Sequence, residues 1–477
     1  MLHSNSRSLP PDFRARKIGN PKPHISTLST HPMLYPVFGF LTIIFIGTFL
    51  LLLPFSSRST DGIFGGLSFE NALFMATSAA CVNGLAVVSV GGVLTTAGQS
   101  ILALLAQIGG IGVMALSTMI MLLAGTKMSF GQQSVLTSGY SSEGNINSGY
   151  ILRQIIKISV IVETIGAVLL YTQFTNLPFS ERVFFSVFHS ISAFCNAGFS
   201  IWDNSMGGFD TNIVVNFSLM FLIICGGFGF LSLAEIINSK KNKVPGHIFT
   251  LHIRLVLLMT PLLIIVGTFA VLGMEWNGAL AKYSIEDKFL VSIFQSVTSR
   301  SAGFSTINFS ALNAPILFFI MILMFIGANP GSCGGGIKTT TAALIALLGL
   351  NRFLGREKTQ LFNRTVPEET VDRAVRIFVS SVIFIAISTT LILHFETTGE
   401  TSVLSQSRFL EIFFESVSAF STCGLSMGIT ENLSPISKII TSVVMFVGRL
   451  GPLVLVQAVV RPPQSRAYYS EENIMVG

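Results

Sequence analysis

The residues with the clearest chemical meaning lie in one short phrase that the chain repeats four times. Each copy is a Ser/Thr-rich stretch that closes on a glycine, and the copies align without a gap over their last eight residues. They read FMATSAACVNGL at Phe74–Leu85, FHSISAFCNAGF at Phe188–Phe199, QSVTSRSAGF at Gln295–Phe304 and FESVSAFSTCGL at Phe414–Leu425. Their glycines recur at intervals of roughly 105 to 120 residues, which is a repeat on the scale of a folding unit.

The chemistry that such phrases can perform together is coordination of a cation by backbone carbonyl oxygens. Carbonyls that replace a hydration shell must point into one space, and this needs backbone conformations that glycine adopts most readily. The alternative is that each glycine only ends a helix, which four aligned copies disfavour. The candidate filter comprises three residues in each copy: Val82, Asn83, Gly84, Asn196, Ala197, Gly198, Ser301, Ala302, Gly303, Thr422, Cys423 and Gly424.

The composition places these phrases in a membrane. Half of the 477 residues are hydrophobic and only 11% are charged, whereas about a quarter of the residues in soluble domains are charged. Stretches such as Tyr35–Phe55 and Phe249–Leu272 are long enough to cross roughly 30 Å of hydrocarbon. With eight spans, one side of the membrane collects 20 Lys and Arg, the other side six, and the embedded part three. This bias predicts cytoplasmic termini and accounts for the net charge of +6 without a nucleic-acid partner.

Four segments that lead into the phrases are helical in composition but too short to cross the membrane. They must re-enter while buried in protein, because lipid cannot satisfy exposed backbone ends. We expect them at Phe69–Ala80, Glu181–Cys195, Glu286–Arg300 and Ser407–Ser421. The flanking spans are expected at Tyr35–Pro54, Thr96–Ala124, Ile151–Phe174, Asn212–Ile237, Phe249–Met274, from Ala311 onward, Val371–Phe395 and Pro435–Val460.

The predicted fold is therefore an all-α integral membrane protein. Four tandem span–pore-helix–span repeats give eight transmembrane helices and four re-entrant pore helices, with pseudo-fourfold symmetry around one pore. The predicted boundaries are a cytoplasmic tail at 1–33, repeats at 34–145, 146–245, 246–365 and 366–460, and a cytoplasmic C-terminal tail at 461–477.

A glycine-rich segment at 327–341, GANPGSCGGGIKTTT, interrupts the span that begins near Ala311. Five glycines and a proline make a continuous helix there implausible, with the apolar run resuming at Ala342–Leu350. We expect a mobile gate beneath the filter, with a purely structural helix break as the alternative. A nucleotide-binding loop is rejected because Ile337 separates glycine from lysine and no strand precedes it. The candidate gate residues are Gly331, Ser332, Cys333, Gly334, Gly335, Gly336 and Lys338.

Charged residues inside the membrane are functional candidates. Arg449 lies in the middle of the last span, and we expect it to face the pore cavity beside the gate. The alternative is an ion pair with Glu163 or Glu235. Arg300 precedes Gly303 by three residues and is expected to donate to filter carbonyls from behind. Three acidic residues are expected early in the re-entrant helices, where they suit the positive helix end: Glu70, Glu411 and Glu415.

No set of residues indicates covalent chemistry, so the chain is not predicted to be an enzyme. His189 neighbours two serines without a carboxylate, which favours a hydrogen-bonded core histidine over a catalytic base. The glycine pairs in GGIG at 109–112 and GGFG at 226–229 are expected to permit close helix packing. The cysteines lack metal-ligand spacing and are expected as buried, unreactive thiols: Cys81, Cys195, Cys225, Cys333 and Cys423.

These motifs resemble the Trk/Ktr/HKT superfamily of cation transporters, and within it the membrane subunits of bacterial Ktr potassium-uptake systems. The resemblance is carried by the four repeats, the filter phrases SAFCNAGF and TSRSAGF, the gate sequence GSCGGGIKTTT, the segment MFVGRLGPL and the closing EENIMVG. It extends from about residue 34 to the end of the chain.

The resemblance implies channel-like potassium uptake across the cell inner membrane, stimulated by sodium, through one pore per subunit. It identifies Gly84, Gly198, Gly303 and Gly424 with the family's potassium-selectivity position, whose first copy tends to be serine in sodium-favouring relatives. It also identifies Gly331–Lys338 with the intramembrane gate and Arg449 with the pore-facing arginine below the filter. The implied partners are membrane lipid, a second copy of the chain, and a cytosolic nucleotide-binding regulatory subunit that forms a ring. No organic cofactor is implied on this chain.

Two alternatives remain open. One is a sodium-permeable or poorly selective cation transporter of the same superfamily. The other is a coupled cation symporter, for which inverted repeats and a closed midplane site would be expected. The four units predicted here instead share one order, which favours a pore along the membrane normal.

Overall fold

The computed structural model describes residues 34–58, 62, 64–112, 148–229, 232–233, 251–398 and 402–451. Within these residues the chain is predominantly helical, as predicted. The α-helices are α1 (Leu34–Leu52), α2 (Phe69–Ala80), α3 (Thr96–Gly110), α4 (Ser148–Gln173), α5 (Phe179–Phe194), α6 (Ile213–Gly227), α7 (Leu251–Glu275), α8 (Ile285–Thr298), α9 (Ala314–Phe325), α10 (Thr339–Phe353), α11 (Glu368–Glu396), α12 (Ser402–Phe420) and α13 (Pro435–Leu450). Single 3₁₀ turns lie at Gly207–Phe209, Phe309–Ala311 and Thr430–Asn432.

The same order of elements occurs four times in the described residues. A long helix is followed by a shorter one (α2, α5, α8 or α12), a glycine phrase and a returning helix. The returning helix packs against the shorter helix of its own copy in the first, second and fourth copies, and against α12 in the third. Helix α2 has the expected bounds, and α5 and α8 differ from expectation by no more than two residues at either end, which is the usual uncertainty of helix ends.

Helix α12 differs, because it begins at Ser402 and not near Ser407. No glycine or proline interrupts the residues between these positions, so the helix extends upstream. The prediction that Glu411 and Glu415 lie early in this helix is therefore wrong, while Glu70 does lie in the first turn of α2.

The distribution of side chains is that of a protein surrounded by lipid. Helices α4, α7 and α11 contain stretches long and apolar enough to cross a membrane. Large apolar side chains on the outer helix faces are more than half exposed, including Phe45, Phe217 and Phe269. Small polar side chains, such as Ser78, Ser296 and Ser416, are fully buried instead. Exposed large apolar side chains on the outer helix faces, together with buried small polar side chains, indicate a membrane environment.

The returning helices begin with residues that cap their free backbone amides. The side chains of Thr95, Asn212 and Ser434 each accept a hydrogen bond from an amide in the first turn of α3, α6 and α13. These caps fix where each loop after a glycine phrase ends and the next helix begins.

Two glutamates, each at the end of a long helix, accept a hydrogen bond from the backbone amide at the start of the returning helix, and the sequence separation is the same in both cases. Glu275, at the end of α7, is fully buried and accepts hydrogen bonds from the amides of Asn313 and Ala279, both at 2.9 Å. Glu396, at the end of α11, accepts from the amide of Ser434 at 2.8 Å. Both contacts to the returning helix join residues 38 apart. This equal spacing is a physical trace of the repeat.

We expect Glu275→Ala to destabilise the protein by about 1–3 kcal/mol, because the backbone amides of Ala279 and Asn313 lose their acceptor. The measurement is the midpoint of thermal unfolding in detergent, followed by size-exclusion chromatography after heating. Glu369→Ala is the matched control, since Glu369 forms only an exposed ion pair with Arg373 and contributes at most about 0.5 kcal/mol. Equal midpoints for the two variants would refute the capping role.

One small departure from an all-helical chain follows α10. Strands β1 (Gln360–Leu361) and β2 (Arg364–Thr365) form an antiparallel hairpin. The two residues of its turn, Phe362 and Asn363, have φ of 48° and 59°, the left-handed pair that a tight hairpin turn needs. Sequence patterns did not predict this hairpin because each strand has only two residues.

The predicted break in the third returning span is present. Helix α9 ends at Phe325 and α10 begins at Thr339. The ends of the intervening segment are held together, because the amide of Ile337 donates to the carbonyl of Phe325 at 3.1 Å and the amide of Thr339 donates to that of Ala328 at 3.3 Å. The segment is therefore a compact loop inserted between two half-helices.

Candidate functional site

The four glycine phrases adopt the same unusual backbone. The residue two before each glycine has a left-handed φ: 56° at Val82, 59° at Asn196, 67° at Ser301 and 45° at Thr422. The glycines are also left-handed, with φ of 98° at Gly84, 70° at Gly198, 83° at Gly303 and 91° at Gly424. Left-handed backbone is costly for a β-branched residue such as Val82. Four copies of one strained path indicate that the surrounding structure enforces it.

The four glycines form a closed ring. A Cβ atom built on Gly84 would lie 2.4 Å from the carbonyl oxygen of Ala197, and one on Gly198 would lie 2.7 Å from that of Ala302. A Cβ atom on Gly303 would lie 2.4 Å from the oxygen of Cys423, and one on Gly424 would lie 2.1 Å from that of Asn83. Each glycine thus faces the carbonyl of the residue before the next glycine. Only glycine fits, for conformational and for steric reasons.

Hydroxyl groups of the short helices support the bend in each phrase. The amides of Gly84 and Gly424 donate to Ser78 and Ser418 at 3.1 Å. In the third copy the hydroxyl of Thr298 donates to the carbonyl of Phe304 at 2.6 Å. In the second copy the hydroxyl of Ser192 donates to the carbonyl of Phe199 at 2.8 Å. The Ser/Thr content of the repeated phrase is explained by these contacts.

Side chains that precede the glycines connect neighbouring copies. The amide of Asn83 donates to the carbonyl of Ala419 at 2.9 Å, and the thiol of Cys423 donates to that of Ser299 at 3.5 Å. The hydroxyl of Ser301 donates to the carbonyl of Thr422 at 2.9 Å. The four copies are therefore not equivalent, because an amide connects the first copy to the fourth, whereas a thiol and a hydroxyl connect the fourth copy and the third.

Glycines in three returning helices allow those helices to touch the short helices. Cβ atoms built on Gly109, Gly226 and Gly448 would lie 2.0, 1.7 and 1.9 Å from carbonyl oxygens at the ends of α2, α5 and α12. The prediction that GGIG and GGFG serve helix packing is confirmed by this geometry. The third repeat has the inserted loop in place of such a contact.

A cavity of about 470 Å³ opens on one side of the glycine ring. All four glycines line it, together with the carboxylates of Asp203 and Glu431. Sequence analysis did not single out these two residues. The sequence feature that could have identified them is that each carboxylate follows a filter glycine within seven residues along the chain. Asp203 is held in place by a hydrogen bond from the Ser89 hydroxyl.

The loop between α9 and α10 lies against the other side of the ring. The amide of Gly335 donates to the hydroxyl of Ser301 at 2.9 Å. A Cβ atom on Gly335 would lie 2.2 Å from the hydroxyl oxygen of Thr422. The loop also reaches α6, since the amide of Cys333 donates to the carbonyl of Gly226 at 3.1 Å. The candidate gate residues Gly331–Gly336 thus lie directly behind two of the left-handed filter residues.

Asn329 anchors this loop to three other helices, although sequence analysis did not single it out. Its buried amide donates to the carbonyl of Gly227 on α6 and to the hydroxyl of Thr260 on α7, both at 3.1 Å. It accepts a hydrogen bond from Thr339 at the start of α10. Lys338 makes an internal contact, donating to the carbonyl of Gly334 at 2.6 Å.

Arg449 joins the loop to a second returning helix. Its guanidinium donates to the carbonyl of Cys333 in the loop and to the carbonyl of Gly109 on α3. Its expected place beside the gate agrees with this geometry. The alternative ion pair with Glu163 is absent from the described residues, where the carboxylate of Glu163 accepts from Gln107 at 2.8 Å. Glu235, the other alternative partner, lies outside the residues that the structure describes.

The predicted role of Arg300 as a donor to filter carbonyls is wrong. Its guanidinium donates to the carbonyl of Thr260 on α7, at 3.5 Å. Helix α8 ends at Thr298, one position earlier relative to the glycine than the other short helices. Arg300 consequently follows the helix end and extends sideways toward α7.

The other titratable candidates are structural. His189 is buried, with Nδ1 donating to the carbonyl of Phe185 at 2.8 Å and Nε2 accepting from the amide of Ile201 at 3.3 Å. It also stacks on Trp202, as expected of a core histidine. All five cysteines are free, and four are buried, whereas Cys225 is half-buried.

Comparisons with known proteins agree with this geometry. A family model described as TrkH, a cation transport protein, matches residues 31–468. Ktr system potassium uptake protein B from Vibrio alginolyticus is 35% identical over 98% of this chain and 97% of its own length. Potassium/sodium uptake protein NtpJ from Enterococcus hirae is 34% identical over 92% of this chain and 96% of its own length.

A solved structure supports the fold. The crystal structure of the potassium transporter TrkH from Vibrio parahaemolyticus superposes with a TM-score of 0.67. It covers 88% of this chain and 84% of its own, at 21% identity, so this likeness concerns the fold alone. With a family match over nearly the whole chain and relatives above 30% identity, the chain belongs to the TrkH family of cation transport proteins.

Proposed function

We propose that this chain is the ion-conducting subunit of a potassium-uptake system in the cell inner membrane. The observation that carries the proposal is the closed ring of four left-handed glycines, each facing a neighbouring carbonyl oxygen. Carbonyl oxygens arranged around one axis can replace the hydration shell of potassium. The relatives named for potassium uptake, which align over almost their whole length, support the choice of ion.

The proposed architecture has eight spans and four re-entrant pore helices around one pore. Repeats at 34–145, 146–245, 246–365 and 366–460 each supply one quarter of the filter, and both termini lie in the cytoplasm. The fourfold order of the described helices supports this arrangement. The twelve filter residues, three in each of the four glycine phrases, coordinate potassium through backbone carbonyls and not through side chains.

Control of conduction is proposed to reside in the loop between α9 and α10. The loop contacts the ring at Ser301 and is tied to α3 through Arg449. A cytosolic nucleotide-binding regulatory subunit would move the loop from below, and the chain would act as a homodimer with sodium-stimulated uptake. Two relatives are named as Ktr system potassium uptake proteins, and membership of a system supports a partner subunit.

A less selective transporter is the second candidate function. Its support is the similarity to NtpJ, a protein named for both potassium and sodium uptake. A coupled symporter is less well supported, because the described elements repeat in one order and not as inverted halves.

The test is ion flux in liposomes that contain the purified chain, with potassium and sodium compared with and without the regulatory subunit. We expect potassium flux to exceed sodium flux and to depend on the subunit. Equal fluxes would favour the second candidate, and flux that requires a gradient of a second ion would favour the symporter. Restored growth of a potassium-uptake-deficient bacterium at low potassium is the corresponding result in cells.

The cavity of about 470 Å³ beside the glycine ring is called the vestibule here, and it is lined by the carboxylates of Asp203 and Glu431. We expect neutralising these two carboxylates to slow uptake at low potassium. The double variant Asp203→Asn, Glu431→Gln removes negative charge beside the ring, so kcat/KM should fall about tenfold at low ionic strength. The loss should shrink as salt is added, because exposed charges are screened. Glu181→Gln is the control, since Glu181 is exposed at the start of α5 and does not line the vestibule. A loss that is independent of salt would contradict electrostatic attraction.

A further inference from the structure

A small cavity lies behind the filter, between the second and third repeats. It has a volume of about 20 Å³ and is lined by Asn196 in the second phrase, Arg300 in the third, and residues of α6, α7 and α8. Both Asn196 and Arg300 are more than nine-tenths buried. The cavity therefore joins two left-handed turns of the ring from behind.

Three polar atoms of the lining residues have no hydrogen-bond partner among the described protein atoms. They are Nδ2 and Oδ1 of Asn196 and Nε of Arg300. The remaining contact of the guanidinium, from Nη1 to the carbonyl of Thr260, is long at 3.5 Å. Leaving such buried groups without a hydrogen-bond partner destabilises the fold, most of all for a charged group. A buried amide and a buried guanidinium at one cavity thus require a partner.

We propose that this cavity binds a single water molecule that bridges the Arg300 guanidinium to the Asn196 amide and so positions the second and third filter phrases. The volume fits one water, which needs roughly 10–15 Å³ of this kind and two to four polar partners. The chemistry also fits, because water can accept from Nε of Arg300 and donate to Oδ1 of Asn196. An anion would accept from the guanidinium but could not donate to the amide oxygen.

The site makes Arg300 a positioning residue, and this role rests on the proposed function of the ring. Arg300 precedes Ser301 and Asn196 precedes Ala197, so the bridge restrains backbone next to two of the carbonyls that face neighbouring glycines. Two of the other three boundaries of the ring have direct side-chain contacts, from Asn83 to Ala419 and from Cys423 to Ser299. In both, the residue before a glycine donates to the copy before it around the ring. At the boundary between the second and third copies that residue is Ala302, whose side chain cannot donate, and the bridged water supplies the link there.

The first experiment is a high-resolution crystal structure of the full chain grown from a lipid phase. A solvent peak within hydrogen-bond distance of Nε of Arg300 and of the Asn196 amide is expected. An empty cavity overturns the proposal. A peak that gives an anomalous signal when the protein is crystallised with bromide assigns the site to an anion and overturns it as well. Neither result depends on transport, so this experiment separates the water site from the function of the pore.

The second experiment measures the potassium-to-sodium permeability ratio of Arg300→Met and of Arg352→Met as the charge-matched control. Arg300→Met keeps an unbranched, flexible side chain but removes the donors, so the ratio should fall about tenfold, as one lost hydrogen bond to a charged group predicts. Arg352 is exposed near the end of α10, away from the cavity lining, and Arg352→Met should leave the ratio within about twofold. An unchanged ratio in Arg300→Met overturns the positioning role. A wild-type ratio near one would instead refute the proposed potassium selectivity and leave the solvent peak to decide the site.

Discussion

Gly84→Ser is expected to lower the potassium-to-sodium permeability ratio by at least about tenfold while leaving a conducting protein. The serine Cβ would lie 2.4 Å from the carbonyl oxygen of Ala197, closer than any van der Waals contact permits. Gly84 also has a φ of 98°, which a side chain makes unfavourable by roughly 1–2 kcal/mol. The carbonyl of Ala197 must therefore move, and the second quarter of the ring changes its geometry.

The measurement is the reversal potential or the paired ion fluxes of wild type and variant under identical gradients. Gly208→Ser is the matched control, because a Cβ there meets no atom within 4 Å and its φ is ordinary. It should keep the wild-type ratio. An unchanged ratio in Gly84→Ser would show that this glycine does not set selectivity, whereas loss of all flux would point to a collapsed ring.

A side chain added at one glycine of the ring should displace the next copy around the ring and not the preceding one. Each glycine faces the carbonyl before the next glycine along the chain, and the last faces the first. A side chain at Gly84 therefore displaces the second phrase, whereas one at Gly424 displaces the first through the carbonyl of Asn83. This cyclic contact explains why one substitution can alter selectivity although three glycines remain.

Local patterns predicted the helical fold and most helix bounds of the described residues. Helix α2 was predicted with its observed ends, since Phe69–Ala80 is helical in composition and leads directly into the first glycine phrase. The broken helix between α9 and α10 was predicted because glycines and a proline oppose helix formation whatever surrounds them. These features depend on residues that are close together in the sequence.

Contacts between distant residues could not be read from the sequence. Arg300 was expected at the filter carbonyls but extends to Thr260, because α8 ends one residue early relative to its glycine. Nothing in the local sequence distinguishes Asn329 from its neighbours in the loop, yet its side chain forms hydrogen bonds with residues on α6, α7 and α10. The same composition would permit other packings, so only the three-dimensional arrangement distinguishes them.

Arg449→Met is expected to raise potassium flux without the regulatory subunit by at least about tenfold. Wild-type Arg449 bridges the carbonyls of Cys333 in the loop and Gly109 on α3. Hydrogen bonds from a charged group contribute about 1.5–3 kcal/mol each, so the closed loop loses a large part of its restraint. Methionine keeps the apolar length of the side chain and removes both donors and the charge.

Arg449→Lys separates the two effects of that substitution, because lysine keeps the charge but lacks the planar fork that reaches two carbonyls. If the fork restrains the loop, flux without the partner rises in both variants; if the charge alone is the barrier, it rises only in the methionine variant.

Deleting Gly331–Gly336 should give the same partner-independent flux by removing the loop segment that faces Ser301 and Thr422. Arg352→Met, at an exposed position near the end of α10, is the charge-matched control and should leave flux dependent on the partner. Flux that stays low and partner-dependent in both Arg449→Met and the deletion would show that this loop does not close the pore.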